Sequence, residues 1–204
     1  MVSKSRKFNS TYVTVAVWLL TVGSGVAALW GYSFRSCNAD SAVGVWPSDS
    51  EVVRDRSCST LIVFVHPQCS CTRATVSQLA TVRRNCSVPY KLVVVMLQPE
   101  KGLPWRDTPM QSDIARLKPV QLVDDPGGRE AIRFGVGCSG TCLLFSLNGQ
   151  LLFRGGITES RGHEGTCVGS RQLLACLSHS SDGSPTASVS QNPIYGCSLV
   201  STDR

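Results

Sequence analysis

Residues 61–72 decide the fold of this chain, and they read LIVFVHPQCSCT. Residues 61–65 form a short, continuous run of β-branched and aliphatic side chains, typical of a strand buried on both faces of a sheet. Residues 72–84 place apolar side chains on one face and arginines near the end, which predicts an amphipathic helix. Cys69 and Cys71 therefore lie at a strand-to-helix junction.

The rest of the chain supplies further strands and helices around this junction. Strands are predicted at residues 92–97 and 120–123, and helices at residues 113–117, 128–134 and 170–177. Residues 143–147 and 150–153 flank Asn148-Gly149, the strongest short-range signal for a two-residue hairpin turn. This order predicts a mixed α/β sheet, with parallel crossovers early in the chain and an antiparallel pair late.

The N-terminal region predicts a membrane anchor. Residues 12–30 are apolar and, at roughly 19 residues, long enough to cross a bilayer as a helix. Lys4, Arg6 and Lys7 precede this stretch and only Arg35 closely follows it, so the N-terminus is expected inside the cell. These features predict a single-pass protein of the inner (cytoplasmic) membrane with its domain in the periplasm. A cleaved signal peptide is the alternative.

The cysteine content and the charge distribution indicate the compartment of the protein and exclude one class of partner. The 204 residues suffice for one domain with appendages, and ten cysteines favour an oxidising compartment. The net charge of +6 comes from dispersed arginines without a dense basic run, so no nucleic-acid partner is expected. The predicted organisation is a cytoplasmic stub and anchor (1–32), a tether (33–57), a folded domain (58–178) and a disordered serine-rich tail (179–204). The oligomeric state is left open.

The cysteine motif carries a resemblance to a known superfamily. Cys69 stands where the attacking cysteine of the thioredoxin superfamily stands, just past the first core strand. The stretch HPQCSCTRA (66–74), with GGITESRGHEG (155–165), is similar to bacterial RedB-type thioredoxin-like proteins. The resemblance covers roughly residues 59–177. It implies a thioredoxin-like mixed sheet with flanking helices. It also implies thiol-disulfide oxidoreductase or isomerase activity on protein thiols or disulfides, with a membrane or periplasmic electron donor and no cofactor.

The Cys-x-Cys spacing departs from the superfamily. Its usual partner cysteine lies three residues on, where this chain has Thr72, whereas Cys71 lies two residues on. A helix N-terminus stabilises a thiolate, so Cys69 is predicted to attack and Cys71 to resolve the mixed disulfide. The smaller ring of a Cys-x-Cys disulfide is strained, which predicts a comparatively oxidising or isomerising couple.

A second departure concerns the loop before the hairpin. Gly140 stands where the superfamily has a cis-proline opposite the active cysteine. Cys138 and Cys142 place two further sulfurs near this corner, and they are interpreted as a structural bridge, a second thiol pair, or neither. The absent proline also keeps open a non-catalytic module that senses redox state or binds a partner.

Residues 161–165 are predicted to border the site. His163 is the candidate proton donor or acceptor, because imidazole alone has an unperturbed pKa near neutrality, and Glu164 is placed to orient it. A glycine-bounded surface turn is the alternative interpretation. Supporting roles in the site are predicted for five residues, which are His66, Pro67, Thr72, Gly140 and Glu164.

Metal binding is the competing hypothesis for the same residues. Thiolate with imidazole suits zinc, and thiolate suits Cu(I). The candidate ligands for copper or zinc are His66, Cys69, Cys71 and His163.

Overall fold

The described residues of the N-terminal part of the chain form a long helix. The computed structural model describes residues 10–37, 43–101, 104–105, 108–179 and 189–199. The chain divides into two compact units, residues 1–35 and 36–204. In the first unit, helix α1 (Ser10–Ser33) has 24 residues and a mean hydropathy of 1.8 over its most apolar window. It is therefore long and apolar enough to cross a membrane.

The second unit is built on a six-stranded sheet with the order β3-β2-β1-β4-β5-β6. Its strands are β1 (Ser59–Val65), β2 (Tyr90–Gln98), β3 (Gln121–Pro126), β4 (Cys142–Phe145), β5 (Leu151–Gly155) and β6 (Ser190–Asn192). Its helices are α2 (Ser70–Asn85), α3 (Pro109–Ala115), α4 (Arg129–Arg133) and α5 (Val168–His179). β1 pairs in parallel with β2 and antiparallel with β4, which in turn pairs antiparallel with β5. The predicted thioredoxin-like mixed sheet with flanking helices is confirmed.

Strand β1 lies in the middle of this sheet and is buried on both faces. Leu61, Val63 and Val65 pack into a core cluster with side chains of α2, α3 and α5. Ile62 and Phe64 point to the opposite face, where α4 contributes to a second cluster. Because both faces are covered, the strand needs apolar residues at consecutive positions, as the uninterrupted run in the sequence predicts.

The predicted hairpin between β4 and β5 is present, but three residues, 147–149, form its turn instead of the predicted two. Gly149 has a φ of +80°, a left-handed conformation that glycine adopts at little cost. The N–H of Ser146 donates to the carbonyl of Gln150 at 2.9 Å, which closes the turn. The hairpin therefore sets β4 directly beside β1.

Residues 43–57 differ from the tether that the sequence predicts, because they pack against the sheet. The ring of Trp46 lies edge-on to Phe134 and Phe145, with centroid separations of 5.2 and 5.1 Å. Val52 is 2% exposed within the same cluster. The apolar residues here are too few and too irregularly spaced to give a periodic signal, yet they cover one face of the sheet.

The C-terminal region also differs from its prediction. Residues 189–199 are not a disordered tail, because β6 pairs in parallel with β5 and extends the sheet by one strand. Ile194 and Leu199 beyond it are buried, at 3% and 4% exposure. A Cβ at Gly155 would lie 2.6 Å from the backbone nitrogen of Asn192, so the glycine permits this close approach. The other parts of the predicted tail, residues 180–188 and 200–204, lie outside the described residues.

The packing of residues 43–57 can be tested by unfolding the full chain in detergent. Trp46→Ala should lower the free energy of unfolding by about 3 kcal/mol, because it removes two aromatic contacts and leaves a cavity. The matched control Val53→Ala, at a side chain 69% exposed, should change it by less than about 0.5 kcal/mol. Urea unfolding followed by circular dichroism measures both variants. Equal free energies of unfolding for Trp46→Ala and the wild type would return the segment to a tether.

Candidate active site

Cys69 is positioned by the turn that joins β1 to α2. It is the N-cap of α2, with an extended backbone at φ −86° and ψ 107°. Its N–H donates to the carbonyl of His66 at 3.0 Å, and its own carbonyl accepts from the N–H of Thr72 at 3.2 Å. The sulfur therefore sits at the helix N-terminus, where unpaired N–H groups and the positive end of the helix dipole favour an anion.

The surroundings of Cys69 favour its thiolate. Its side chain is 1% exposed, and this burial by itself raises the pKa of the thiol. Hydrogen bonds from the Cys197 side chain and from Thr72 act in the opposite direction and outweigh burial, so the pKa of Cys69 lies below its ordinary value. A lowered pKa is the property that makes a cysteine a nucleophile near neutral pH.

The sulfur of Cys197 contacts that of Cys69, and sequence analysis assigned Cys197 no function. The two Sγ atoms lie 2.9 Å apart, with Cys197 donating the hydrogen bond. Burial raises the pKa of Cys197 to about 12; the hydrogen bond to Cys69 and its charge add to the rise, and Arg161 opposes it. The pair therefore holds its proton on Cys197. The two residues are 128 positions apart, so no local motif indicates their contact.

Residues 193–199, which we call the docked tail, reach Cys69 by pairing with the loop before β4. The N–H of Ser139 donates to the carbonyl of Cys197 at 2.8 Å, and the N–H of Leu199 donates to the carbonyl of Gly137 at 2.8 Å. Cys138 and Ser198 form an antiparallel bridge between them. The docked tail is thus held by backbone hydrogen bonds at Cys197 itself and at Leu199, two residues on.

A glycine permits this pairing at close range. A Cβ at position 196 would overlap the backbone oxygen of Ser139, so a larger residue cannot occupy the position without displacing the docked tail. Nη1 of Arg161 donates to the carbonyl of Gly196 at 3.3 Å. The absence of a side chain at Gly196 and the hydrogen bond from Arg161 therefore allow the docked tail to pack closely against the loop before β4.

Ser139 ties this loop to the turn that carries Cys69. Its Oγ accepts from the N–H of His66 at 2.7 Å and lies 2.6 Å from Oγ1 of Thr72. Ser139 is fully buried, so these hydrogen bonds are made away from water and depend on its exact position. Sequence analysis missed Ser139, because a serine between a cysteine and a glycine gives no distinctive signal.

Gly140 lies in the loop before β4, and its backbone conformation explains why proline is absent there. Its φ is +87°, a conformation that proline cannot adopt. Its N–H donates to the carbonyl of Phe64 at 2.8 Å, at the end of β1. Proline has no N–H, so this hydrogen bond to the central strand requires another residue here.

Cys71 and His66 lie beside Cys69 with separate contacts. Cys71 is the second residue of α2, half-buried, and neither it nor Cys69 is in a disulfide. The His66 ring lies 5.2 Å from that of Trp105, and its Nδ1 accepts from the N–H of Gln68 at 3.1 Å. Burial lowers the pKa of His66, which keeps the imidazole neutral at neutral pH. The adjacent Pro67 is buried within the turn.

In the loop of residues 161–165, some side chains contact the elements around Cys69 and others contact only the loop itself. Arg161 contacts the docked tail, and Oε2 of Glu164 accepts from Oγ of Ser77 on α2 at 3.0 Å. His163 is exposed, and its Nδ1 lies 2.7 Å from Oγ of Ser160 and 3.1 Å from the carbonyl of Arg161, within its own loop. Glu164 thus contacts α2 instead of orienting the imidazole. The role of His163 stays a prediction.

Cys138 and Cys142 do not form a pair with each other. Cys138 is bonded to Cys37, which sequence analysis left without a function. Cys142 is fully buried, and burial raises its pKa far above the ordinary value, so its thiol stays protonated at neutral pH. Of the three interpretations of the cysteines in this loop, the structural bridge describes Cys138, although with a different partner.

The metal hypothesis finds no compact ligand set in the described part of the chain. Within residues 10–37, 43–101, 104–105, 108–179 and 189–199, no group of three or more His, Cys, Asp or Glu side chains is arranged to hold a metal ion. A copper or zinc site formed by His66, Cys69, Cys71 and His163 therefore stays a prediction.

Comparison with known proteins identifies a shared fold. No protein-family model matches the chain, and no curated protein matches it. An uncharacterized conserved protein of Geobacillus kaustophilus is 17% identical over 84% of this chain and 94% of its own, with a TM-score of 0.57. A hypothetical protein of Sinorhizobium meliloti is 15% identical over 84% of this chain and 99% of its own, with a TM-score of 0.55.

A more distant likeness is to a secreted disulfide oxidoreductase of Mycobacterium tuberculosis described as homologous to E. coli DsbE. It is 13% identical over 59% of this chain and 81% of its own, and its TM-score of 0.37 is too low to carry a functional conclusion. The chain thus shares its architecture over 84% of its length with two solved structures, and its own sheet topology is thioredoxin-like.

Proposed function

We propose that this chain is a membrane-anchored, extracytoplasmic thiol-disulfide oxidoreductase or isomerase in which Cys69 is the attacking thiol. One observation carries the proposal: Cys69 lies at the N-terminus of α2, after the central strand, with a second sulfur 2.9 Å from its own. A helix N-terminus lowers the energy of a thiolate, and a neighbouring thiol supplies the second electron that disulfide exchange needs.

The reaction follows from this arrangement. The Cys69 thiolate attacks one sulfur of a substrate disulfide, and a new bond to Cys69 forms as the substrate bond breaks. The leaving substrate sulfur departs as a thiolate and takes up a proton from its surroundings. A second thiol of this chain then displaces the remaining substrate sulfur, so two thiols are oxidised as one disulfide is reduced. Isomerisation or oxidation of a substrate uses the same steps in a different order.

The proposal extends to partners and location. The position of Cys69 at the N-terminus of α2 supports protein thiols or disulfides as the substrate class, and helix α1 supports a membrane or periplasmic electron donor. Helix α1 and the positive residues before it support an inner-membrane protein with its N-terminus inside and its domain in the periplasm.

Catalysis can be tested with full-length protein in detergent. Cys69→Ser should reduce insulin disulfide reduction by dithiothreitol to the uncatalysed rate, because it removes the attacking sulfur. Cys86→Ser is the matched control, since that half-buried residue at the other end of α2 should leave the rate unchanged. Metal content is measured on the same samples.

A wild-type protein no faster than Cys69→Ser, prepared free of metal, would contradict catalysis and favour the non-catalytic module. Stoichiometric copper or zinc that is lost in Cys69→Ser would favour the metal hypothesis instead.

A second prediction concerns the pKa of Cys69. Its measurement does not require the thiol to be accessible to a reagent. Subtracting the ultraviolet thiolate absorbance of Cys69→Ser from that of the reduced wild type, as pH varies, should give a midpoint below that of an ordinary cysteine. Cys197→Ala should move this midpoint to higher pH, because the variant removes the side-chain donor whose hydrogen bond lowers the pKa of Cys69 most. Cys58→Ala, remote from the turn, is the control. An unmoved midpoint in Cys197→Ala would show that the two side chains do not interact.

Orientation can be tested with fusion reporters in a Gram-negative host. Alkaline phosphatase fused after Arg204 should be active, because the enzyme folds only in an oxidising compartment. Replacing Lys4, Arg6 and Lys7 by glutamate should lower this activity, since the positive-inside bias is removed. Activity of a cytoplasmic reporter alone at the same fusion point would overturn the orientation.

A further inference from the structure

We propose that Cys197 is the resolving cysteine of Cys69, so that the redox couple joins the docked tail to the N-terminus of α2. The inference deepens the proposed function and rests on it, because a resolving cysteine has meaning only in thiol-disulfide exchange. It replaces Cys71, the partner that the Cys-x-Cys spacing predicts.

The first argument is distance. The Cys69 and Cys197 sulfurs are 2.9 Å apart, whereas a disulfide bond is about 2.05 Å long. A movement of less than about 1 Å closes this gap, which is within the reach of side-chain rotation.

The second argument is that the docked tail is built to hold Cys197 in place. Backbone hydrogen bonds join the carbonyl of Cys197 to Ser139 and the N–H of Leu199 to Gly137, and Cys138 of the same loop is anchored by its disulfide to Cys37. Glycines make room on either side of the cysteine: Gly196 lies against Ser139, and a Cβ at Gly128 would lie 2.9 Å from the carbonyl oxygen of Leu199. Such fitted backbone packing distinguishes this contact from a chance meeting of two thiols.

The third argument concerns the geometry of Cys71. Cys69 is the extended N-cap residue and Cys71 is the second residue of α2, and a disulfide between them would close the small, strained ring of a Cys-x-Cys pair. The sulfur of Cys69 hydrogen-bonds to that of Cys197, and the ring that those two sulfurs would close is long and free of this strain.

The resolving step balances without any further reagent. After Cys69 has formed a mixed disulfide with a substrate sulfur, its negative charge is gone and it no longer accepts a hydrogen bond from Cys197. Cys197 then loses its proton to water and attacks the Cys69 sulfur. The bond from Cys69 to the substrate breaks, the substrate leaves as a thiolate, and the Cys69–Cys197 disulfide remains. An external dithiol returns two electrons and restores both thiols.

The burial of Cys69 indicates that the docked tail also controls access to this sulfur. Cys69 is 1% exposed, while Cys197 lies on the solvent side of it and is itself exposed. A substrate sulfur therefore reaches Cys69 only when the docked tail lifts. The return of the docked tail brings the resolving thiol to the mixed disulfide.

The test is a redox titration of the full-length protein in glutathione buffers of stepped potential, with disulfides mapped by mass spectrometry without reduction. Trypsin places Cys69 in the peptide 57–73 and Cys197 in the peptide 172–204, and fragmentation assigns the bonded sulfurs. We expect a Cys69–Cys197 link with the same midpoint potential in wild type and Cys71→Ser. In Cys197→Ser we expect this link to be replaced by glutathione on Cys69.

Two other results are informative in different ways. A disulfide at Cys69 that disappears in Cys71→Ser and persists in Cys197→Ser would overturn the inference and return Cys71 to the resolving role, while the proposed function stands. Cys69 that forms neither a disulfide nor a glutathione adduct in any variant at any potential would overturn the proposed function itself.

A second variant moves the docked tail while keeping every sulfur. Gly196→Ala should slow release of glutathione from Cys69 by at least about tenfold, because resolution by a held thiol depends on its effective concentration. Gly44→Ala is the matched control, since its added methyl group meets open space. Circular dichroism verifies that both variants fold. Equal release rates in a folded Gly196→Ala and the wild type would show that docking of residues 193–199 does not serve resolution.

Discussion

The burial of β1 on both faces is the constraint on which the rest of this structure depends. A strand covered on both sides has its backbone fixed by neighbouring strands and its side chains fixed by two core clusters. The point where it ends is therefore also fixed, and the turn after it delivers Cys69 to the helix N-terminus. The loop at Ser139 and Gly140 is hydrogen-bonded to this same end of β1. The turn that carries Cys69 and the loop beside it are therefore both held in place by the same strand.

Burial affects the cysteines of this chain in opposite ways, depending on what accompanies it. Cys142 is removed from water without a strong donor, and its pKa rises far above the ordinary value. Cys69 is almost as buried, but donors from Thr72 and Cys197 compensate for the loss of solvent, and its pKa falls. A count of cysteines or of buried sulfurs therefore does not indicate reactivity; the hydrogen-bond donors around each sulfur do.

The fold could be predicted from the sequence where patterns are local. The apolar run of β1, the helix after it and the Asn148-Gly149 turn each depend on neighbours in the chain, and each was found. The site was predicted only around Cys69, whose junction is also local. The contact with Cys197 and the disulfide of Cys37 with Cys138 join residues more than a hundred positions apart, and spacing carries no information about them. Trp46 and Val52 pack from an irregular segment, where no periodicity marks burial.

The disulfide between Cys37 and Cys138 has a topological consequence for release of the domain from its helix. Cys37 lies shortly after α1, and its sulfur is bonded to the loop before β4. A protease that cuts the chain between residues 38 and 42 would sever the peptide backbone, yet α1 would remain attached through the sulfur bridge. Shedding of a soluble domain therefore takes a cut before Cys37, or a cut after it together with reduction of the bridge.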